Sequence, residues 1–294
     1  MATPLRRLAV LLVAVTGLSC LTAVTSPVAH AATAPTCGGA YLVKPTGGRW
    51  QCTWDDEFNK SYLDVSKWWV ETTAANGFVA GAACMVNSPR NVFEGGGYLK
   101  LIVRKEAAPF VCTSPNGNFT TQYTGGAVFS WGKFSQLYGR FEVRAAFPNS
   151  TIAGLQEALW LWPDNPTKYG AWPASGEIDI AESSSLYPDR VFPFVHYDSG
   201  SDTNVTNNYC MISNISAFHK YAVEWTPSNI TIKYDGKMCI SDTYNPGYPA
   251  TSSAPFDQPF FVALTAGLGV APNTFSANTP LPATTKIDYV RVWK

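Results

Sequence analysis

Charge is scarce in this sequence and evenly balanced. Only 14% of the residues are charged, and the 21 basic residues match the 21 acidic ones. Proteins that bind nucleic acid or an anionic membrane need a strongly basic surface. The sequence therefore predicts neither kind of partner, and it does not favour an acidic polymer as the substrate.

Histidine is also rare, and long helical patterns are missing. The chain has three histidines, and no two cysteines have the C-x-x-C spacing that is typical of zinc sites. The sequence thus gives no support to a zinc centre. No amphipathic pattern continues for more than about two helical turns, which argues against the helical fold classes.

The first 31 residues have the features of a secretory signal peptide. Arg6 and Arg7 precede an apolar run over residues 8–18, and small residues surround a cleavage site near Ala31. The apolar run is too short for a transmembrane helix. Two alternatives use the same segment: Cys20 as a lipidation site, and the arginine pair as a twin-arginine signal. We expect a secreted, extracellular protein with no membrane partner.

Cysteine is present in a number that suits a secreted protein. Of the seven cysteines, Cys20 falls in the signal peptide, and six remain. An even number in a secreted chain predicts disulfides, and six cysteines allow 15 connectivities. We predict sequential pairing because short loops cost the least entropy to close. The predicted pairs are Cys37–Cys52, Cys84–Cys112 and Cys210–Cys239.

Alternation of polar and apolar residues dominates the rest of the chain. The period of two predicts strands, and Asp235-Gly236 predicts a tight hairpin turn. Many short strands separated by glycine and proline are typical of an all-β sandwich or jelly roll. We expect an N-terminal arm over residues 32–48 and a single domain over residues 49–294. The clearest strands are predicted in residues 98–105, 139–147, 219–225, 229–240 and 285–293.

The stretch GEIDIAES, residues 176–183, places Glu177, Asp179 and Glu182 in an apolar run. In a regular strand of period two, the third acid comes one residue late. A β-bulge near residues 180–181 would return Glu182 to the face of the other two acids. The two glutamate Cα atoms are then about 13 Å apart, and the side chains can bring the carboxyl groups to about 5–6 Å, the separation of a retaining glycosidase. Crowding of like charges favours a protonated Glu182 and an ionised Glu177.

Three acids on one strand do not by themselves indicate catalysis. They are also compatible with a solvated sheet edge or with a calcium site. The neighbouring tryptophans favour catalysis, because aromatic rings stack on the apolar faces of sugars. Trp160, Trp162 and Trp172 lie close to the acids in the sequence.

Several segments together resemble glycoside hydrolase family 16, and in particular its bacterial laminarinase-like (endo-β-1,3-glucanase) members. The resemblance covers nearly all of the chain after residue 48. Its motifs are WDDEF (54–58), YGRFEVRAAFP (138–148), WPASGEIDIAE (172–182) and IDYVRVW (287–293). It implies an all-β, two-sheet β-sandwich jelly roll, concanavalin A-like, with a concave substrate cleft.

The resemblance also implies roles for individual residues. Glu177 corresponds to the nucleophile, Asp179 to the assisting carboxylate and Glu182 to the acid/base of a retaining hydrolase. Trp172 corresponds to a sugar platform. Trp160, His196 and Asn91 fall at positions that often line the cleft, although His196 is equally compatible with a half-buried structural role, and Trp162 with core packing.

Departures from the family pattern concern the cleft wall. Ala127 replaces an arginine, Gln156-Glu157 replaces a Trp-Pro pair, and Thr265 replaces an asparagine. The expected function is cleavage of internal β-glycosidic bonds, with β-1,3-glucan as the first candidate substrate. The alternatives are a β-galactan hydrolase, a transglycosylase and a non-catalytic sugar-binding jelly roll.

The resemblance implies no cofactor for catalysis, but it includes a structural calcium in many members. Asp288 corresponds to the carboxylate ligand and Gly97 to a carbonyl ligand of that ion. Asp288 is equally compatible with an outward polar position on a strand. The expected partner is a polysaccharide, and we expect the protein to be a monomer.

Overall fold

The computed structural model describes residues 34–199, 204–207 and 209–294. The predicted signal peptide, residues 1–31, lies outside the described residues. Residues 35–294 form one compact unit, so residues 35–48 of the predicted N-terminal arm belong to the same unit as residues 49–294. In the described part, no helix has the length and apolar character to cross a membrane.

The described residues contain seventeen β-strands and very little helix. The helical segments are α1 (Thr73–Asn76) and one turn of 3-10 helix (Cys37–Gly39). The strands are β1 (Cys52–Asp56), β2 (Trp69–Val70), β3 (Val79–Ala80), β4 (Ala83–Met85), β5 (Val92–Glu94), β6 (Leu99–Cys112), β7 (Phe119–Phe129), β8 (Gly139–Ala146), β9 (Leu155–Pro163), β10 (Glu177–Ser184), β11 (Val191–His196), β12 (Asn204–Thr206), β13 (His219–Trp225), β14 (Asn229–Tyr234), β15 (Lys237–Thr243), β16 (Phe260–Leu268) and β17 (Ala283–Trp293).

The strands form two layers, as the alternation predicted. The inner sheet has the order β2-β7-β16-β9-β10-β11-β12. The outer sheet has the order β5-β6-β17-β8-β13-β14-β15, and β1 pairs with the C-terminal part of β17. These pairings are antiparallel, and β6 also pairs with β7, which joins the two layers. The architecture is the predicted two-sheet jelly roll.

The core lies between the two sheets and is built from the apolar face of each strand. In β6, Leu99, Leu101 and Val103 are fully buried, as their period of two predicted. Trp225 of the outer sheet meets Phe260 of the inner sheet edge to face, with ring centroids 5.1 Å apart. Contacts of this kind fix the inner sheet on a rigid support, and the inner sheet carries the acidic strand β10.

The predicted hairpin turn is confirmed. Asp235 and Gly236 have φ angles of 47° and 81° and connect β14 to β15. Positive φ at both central residues is the requirement of a type I′ turn, which asparagine, aspartate and glycine meet most easily. The backbone requirement explains why this dipeptide could be recognised from the sequence alone.

Two of the three predicted disulfides are present. Cys37–Cys52 ties the N-terminal arm to β1, and Cys84–Cys112 ties β4 to the end of β6. The prediction of a Cys210–Cys239 bond was wrong for this structure, in which both are free cysteines. Their thiol groups are neighbours and form a hydrogen bond. The preference for short loops thus predicted correctly that these two cysteines are neighbours. Neighbouring thiols become a disulfide only after oxidation.

Candidate active site

Strand β10 contains the bulge that the spacing of its acids predicted. The register with β9 and β11 shifts between Asp179 and Glu182. Residues 180–181 oppose Pro193 alone on β11. Ile180 and Ala181 are fully buried in the core, which holds the bulge in place. The inserted residue returns Glu182 to the face that carries the first two acids.

Two of the three acids have close polar neighbours. The indole Nε1–H of Trp172 donates a hydrogen bond to Oε2 of Glu177 at 2.6 Å. His196 Nε2 lies 3.1 Å from Oδ2 of Asp179. One ligand atom from each of Glu177, Asp179 and His196 lies within 4.8 Å of the others. Such a group can also hold a cation, although catalysis by two carboxylates requires none.

Burial is the main cause of the electrostatics of the three acids. It raises the pKa of Glu177, Asp179 and Glu182, because a buried carboxylate loses its hydration. The charges of the other two acids raise the pKa of Glu182 further. For Glu177, the hydrogen bond from Trp172 and the proximity of His196 act in the opposite direction. Both pKa values remain above the ordinary value, that of Glu177 at about 8, so of the two glutamates the environment favours the proton on Glu182.

The sequence predicts this asymmetry from crowding of like charges alone. The structure shows that loss of hydration is the larger cause and that crowding is the second. Two differences produce the asymmetry: both other acids raise the pKa of Glu182 whereas only Asp179 raises that of Glu177, and only Glu177 accepts a hydrogen bond from Trp172.

A cavity of about 770 Å³ lies over the inner sheet and ends at Glu177. It extends from the end of β2 across β7, β16 and β9 to β10, and seven of its fifteen lining residues are aromatic. Aromatic walls with a few polar groups are typical of sites that bind sugars and other small ligands. The lining side chains include Phe78, Phe129, Trp131, Trp160, Trp162, Trp172 and Phe261, with Glu71, Asn76, Asn116 and Asp164 as polar members.

The tryptophans expected at the cleft do lie there, with different exposure. Trp172 is 53% exposed, so its ring is accessible to a sugar. Trp160 lines the cavity but is only 9% exposed, because its ring packs against Phe78 and Phe129. Trp162, for which core packing was the competing interpretation, also lines the cavity.

His196 lies beside the acids, but Asn91 does not. The His196 ring packs against Trp172 and stacks on Phe194, with centroids 5.3 Å away in each case. Asn91 is only 1% exposed, and its amide donates to the Ile102 carbonyl and to Thr124 Oγ1. The expectation that Asn91 contacts substrate is therefore corrected, since both of its N–H donors are used inside the fold.

The departures from the family pattern fall on two different sides of the inner sheet. Ala127 and Thr265 are cross-strand partners, and Thr265 Oγ1 accepts a hydrogen bond from Trp160 Nε1 at 3.0 Å. Glu157 lies instead opposite the buried Ser183 and is 1% exposed. Its expected place in the cleft wall is therefore corrected, because odd-numbered positions of β9 face the core.

Several polar and aromatic members of the cavity could not be identified from the sequence. Four of them, Glu71, Asn76, Asn116 and Trp131, come from α1, from loops and from strand ends far from β10 in the sequence. No local motif marks them, because only the pairing of β2 with β7 and the approach of the loops bring them to the cavity.

Comparison with known families agrees with this geometry. The model of the family "Glycosyl hydrolases family 16" matches residues 83–291, which include β10 and its acids. The chain belongs to glycosyl hydrolase family 16. The resemblance of the sequence motifs is thereby confirmed over most of the chain.

Relatives within family 16 have more than one specificity in their names. Glucan endo-1,3-beta-glucosidase A1 of Niallia circulans is 33% identical over 82% of this chain and 37% of its own length. The keratan-sulfate endo-1,4-beta-galactosidase of Sphingobacterium multivorum is 32% identical over 83% of this chain and 55% of its own length. The chain thus spans about a third to about half of these two relatives.

A solved laminarinase structure has the same fold. The laminarinase of Rhodothermus marinus superimposes with a TM-score of 0.70 at 30% sequence identity, over 83% of this chain and 97% of that one. The two-sheet fold is thus shared with a laminarinase of solved structure.

Proposed function

We propose that the protein is a secreted, retaining endo-glycosidase that cleaves internal β-glycosidic bonds, with β-1,3-glucan as its principal substrate. The observation that carries the proposal is the bulged strand β10, which presents Glu177, Asp179 and Glu182 beside an aromatic cavity. Family membership and the names of the relatives support it.

In the proposed reaction, Glu177 attacks the anomeric carbon while Glu182 donates its proton to the leaving glycosidic oxygen. The leaving sugar departs as an alcohol, and a glycosyl ester with Glu177 remains. Glu182, now ionised, removes a proton from water, and the resulting hydroxide displaces Glu177 at the same carbon. Two inversions at one carbon give net retention.

The surroundings of the acids support these roles. The Trp172 N–H stabilises the ionised form of Glu177 and fixes the direction of its carboxylate. Burial of Glu182 beside two other acids keeps its proton available. Asp179 is in contact with His196 and lies between the two glutamates, where its charge state adjusts to theirs.

A β-galactan hydrolase is the second candidate. It is favoured by the galactosidase among the relatives and by Ala127 and Thr265 at positions where laminarinases carry arginine and asparagine. A transglycosylase would use the same residues with a sugar in place of water. A purely sugar-binding jelly roll is disfavoured, because binding alone needs neither a nucleophile nor an acid on one bulged strand.

Product analysis tests the proposal. Purified protein is incubated with laminarin, mixed-linkage glucan, agarose and β-1,3-galactan, and products are identified by chromatography and NMR. We expect β-anomeric oligosaccharides of several lengths from laminarin. Preferential cleavage of a galactan would mean that galactan, and not β-1,3-glucan, is the principal substrate. Products longer than the substrate would indicate transglycosylation. First products with the α-anomeric configuration would refute retention.

We also propose export by the signal peptide, action as a monomer and no cofactor in the reaction. A structural calcium at Asp288 and Gly97 fits the contacts poorly. Arg144 forms an ion pair with the Asp288 carboxylate, and a second cation would have to displace it. Calcium needs six to eight oxygen ligands, and this site would supply a single, already paired carboxylate.

A further inference from the structure

The cavity has a second polar end, far from the acids of β10. Glu71 follows the edge strand β2, and its backbone N–H donates to the Ala127 carbonyl of β7. From β2 to β10 the cavity crosses four gaps between neighbouring strands, which is a distance of about 19 Å. A cavity of this length holds several sugar rings, so that a group at Glu71 can contact a sugar other than the one being cleaved.

Glu71 is a carboxylate without a cation partner in the described part of the chain. Its side chain is 1% exposed yet lines the cavity. One oxygen accepts the Thr72 backbone N–H at 3.0 Å, and the Asn76 side chain is a second hydrogen-bond partner. A buried carboxylate is costly unless hydrogen-bond donors surround it. Sugar hydroxyl groups are donors of the required kind.

Two exposed amides complete this end of the cavity. Asn76 Oδ1 accepts the Phe78 N–H, which leaves its NH₂ group for Glu71 and the cavity. Asn116 lies against Gly77 so closely that a Cβ there would be 2.1 Å from Asn116 Nδ2. Gly77 also has φ +85°, a conformation that favours glycine. The Cys84–Cys112 disulfide anchors the strand that leads into the loop of Asn116.

We propose that Glu71, Asn76 and Asn116 form a distal subsite that binds the hydroxyl groups of a neutral sugar unit. A carboxylate accepts from hydroxyl groups, amides both donate and accept, and the exposed ring of Trp131 in the same cavity offers an apolar platform. The Glu71 carboxylate also adds negative charge at this end of the cavity, which disfavours sulfated or carboxylated sugars. The proposal rests on the proposed glycosidase function.

The test separates binding from turnover by using Glu177→Gln as the background. Laminarihexaose is titrated into the Glu177→Gln protein, and binding is followed by tryptophan fluorescence. The measurement is repeated with double variants that also carry Glu71→Gln or Asn116→Ala. We expect about tenfold weaker binding with Glu71→Gln, since a hydrogen bond to a charged group is lost. Asn116→Ala, an exposed position where folding is not at risk, should weaken binding severalfold.

Glu94→Gln is the matched control. Glu94 is also 1% exposed and accepts one backbone N–H, from Lys60 at 2.7 Å, but it is outside the cavity lining. The Glu177→Gln protein that also carries Glu94→Gln should bind laminarihexaose as tightly as Glu177→Gln alone. Equal affinities for the Glu71, Asn116 and Glu94 variants would overturn the subsite while wild-type cleavage of laminarin leaves the proposed function standing. No binding by the background, together with no cleavage of any of the four polysaccharides, would overturn both.

In the otherwise wild-type enzyme, Glu71→Gln should raise KM for laminarin with kcat nearly unchanged. A change in kcat with constant KM would contradict a distal binding role, because a group that contacts a remote sugar acts on ground state and transition state alike.

Discussion

The acidic residues of the two sheets differ in their partners: within the described part of the chain, several acids of the outer sheet are paired with arginine or lysine, and those of strand β10 on the inner sheet are not. On the outer sheet, Glu224 accepts from Arg140 at 2.6 Å and from Lys233 at 2.7 Å. Glu142 is paired with Arg140 as well and accepts from the Tyr289 hydroxyl. Among the described residues, no arginine or lysine forms an ion pair with the three acids of β10. Their only charge-compensating neighbours in the described structure are an indole N–H and His196.

The difference teaches how one fold separates stability from chemistry. Paired carboxylates have their negative charge satisfied, and they hold strands together. Carboxylates that are buried without a cation keep a raised pKa. One of them can therefore hold its proton at ordinary pH and donate it during the reaction. Burying carboxyl groups without a cation costs free energy on the inner sheet, and the ion pairs of the outer sheet avoid this cost. Family 16 chemistry requires these unpaired acids.

The sharpest test exchanges one acid on each face for its amide. Glu177→Gln should reduce kcat by at least about a thousandfold, because an amide cannot form the glycosyl ester. Its melting temperature should stay the same or rise, since a buried charge is removed. Steady-state kinetics and thermal melting give both values.

Glu224→Gln on the outer sheet is the counterpart. It should leave kcat near the wild-type value and lower the free energy of unfolding by about 1–3 kcal/mol, because two charged hydrogen bonds are weakened. A Glu177→Gln protein with near-wild-type turnover would refute the nucleophile assignment. If Glu224→Gln melts at the wild-type temperature, the paired acids of the outer sheet do not contribute to stability, and the contrast with the inner sheet fails.

The next largest effect is expected from deleting Ala181. The deletion removes the bulge and converts the spacing to Glu-x-Asp-x-Glu, which changes the direction of Glu182. We expect kcat of the folded fraction to fall at least about a hundredfold, since misplacement by 1 Å has that effect. Circular dichroism gives the folded fraction. An activity loss equal to the loss of folded protein would deny the bulge a catalytic role.

A third effect concerns pH. Activity requires an ionised Glu177, so it is lost as the pH falls through the pKa of that group. Trp172→Phe removes a donor that stabilises the ionised form, so the pKa should rise further and the acidic limb of kcat/KM should move up by about one unit. Trp131→Phe, in the same cavity but without this hydrogen bond, is the control. Identical acidic limbs for the two variants would show that the indole N–H does not tune Glu177.

Glu157 offers a smaller test inside the core, away from both faces. Burial raises its pKa to about 8, and its carboxyl oxygens have no well-formed hydrogen bond among the described residues. The folded state therefore holds this proton more tightly than the unfolded state, and stability falls as the pH rises from about 4 towards 8. Glu157→Gln should raise the melting temperature by a few degrees at pH 8 and by less at pH 5. A difference that does not depend on pH would contradict the buried acid.

The smallest effect is expected at the outer-sheet pair of Asp288 and Arg144. The pair is partly exposed, so Asp288→Asn should lower stability by about 1 kcal/mol or less. Because Arg144 occupies the carboxylate, wild-type melting should be the same with calcium and with a chelator. A calcium-dependent rise that disappears in Asp288→Asn would establish the ion site and place Arg144 elsewhere.

Much of the fold was predictable from local pattern. The strands β6, β8, β13 and β17 follow the period of two, since one face of each must enter the core. The turn at Asp235-Gly236 was predictable because few residues accept positive φ at both positions. The bulge in β10 was predictable because three acids cannot share one face of a regular strand at spacings of two and three.

The sequence by itself thus determined the β-sandwich class, two disulfides and the bulged acidic strand, because these depend on side-chain alternation, backbone conformation and short loops. Only the tertiary structure decided which side chains meet at the cleft. It turned Asn91 and Glu157 inward, brought Trp162 to the cavity and placed Glu71 and Asn116 at its far end. Those positions depend on strand register and on loops that approach each other from distant parts of the chain, and no local pattern records either one.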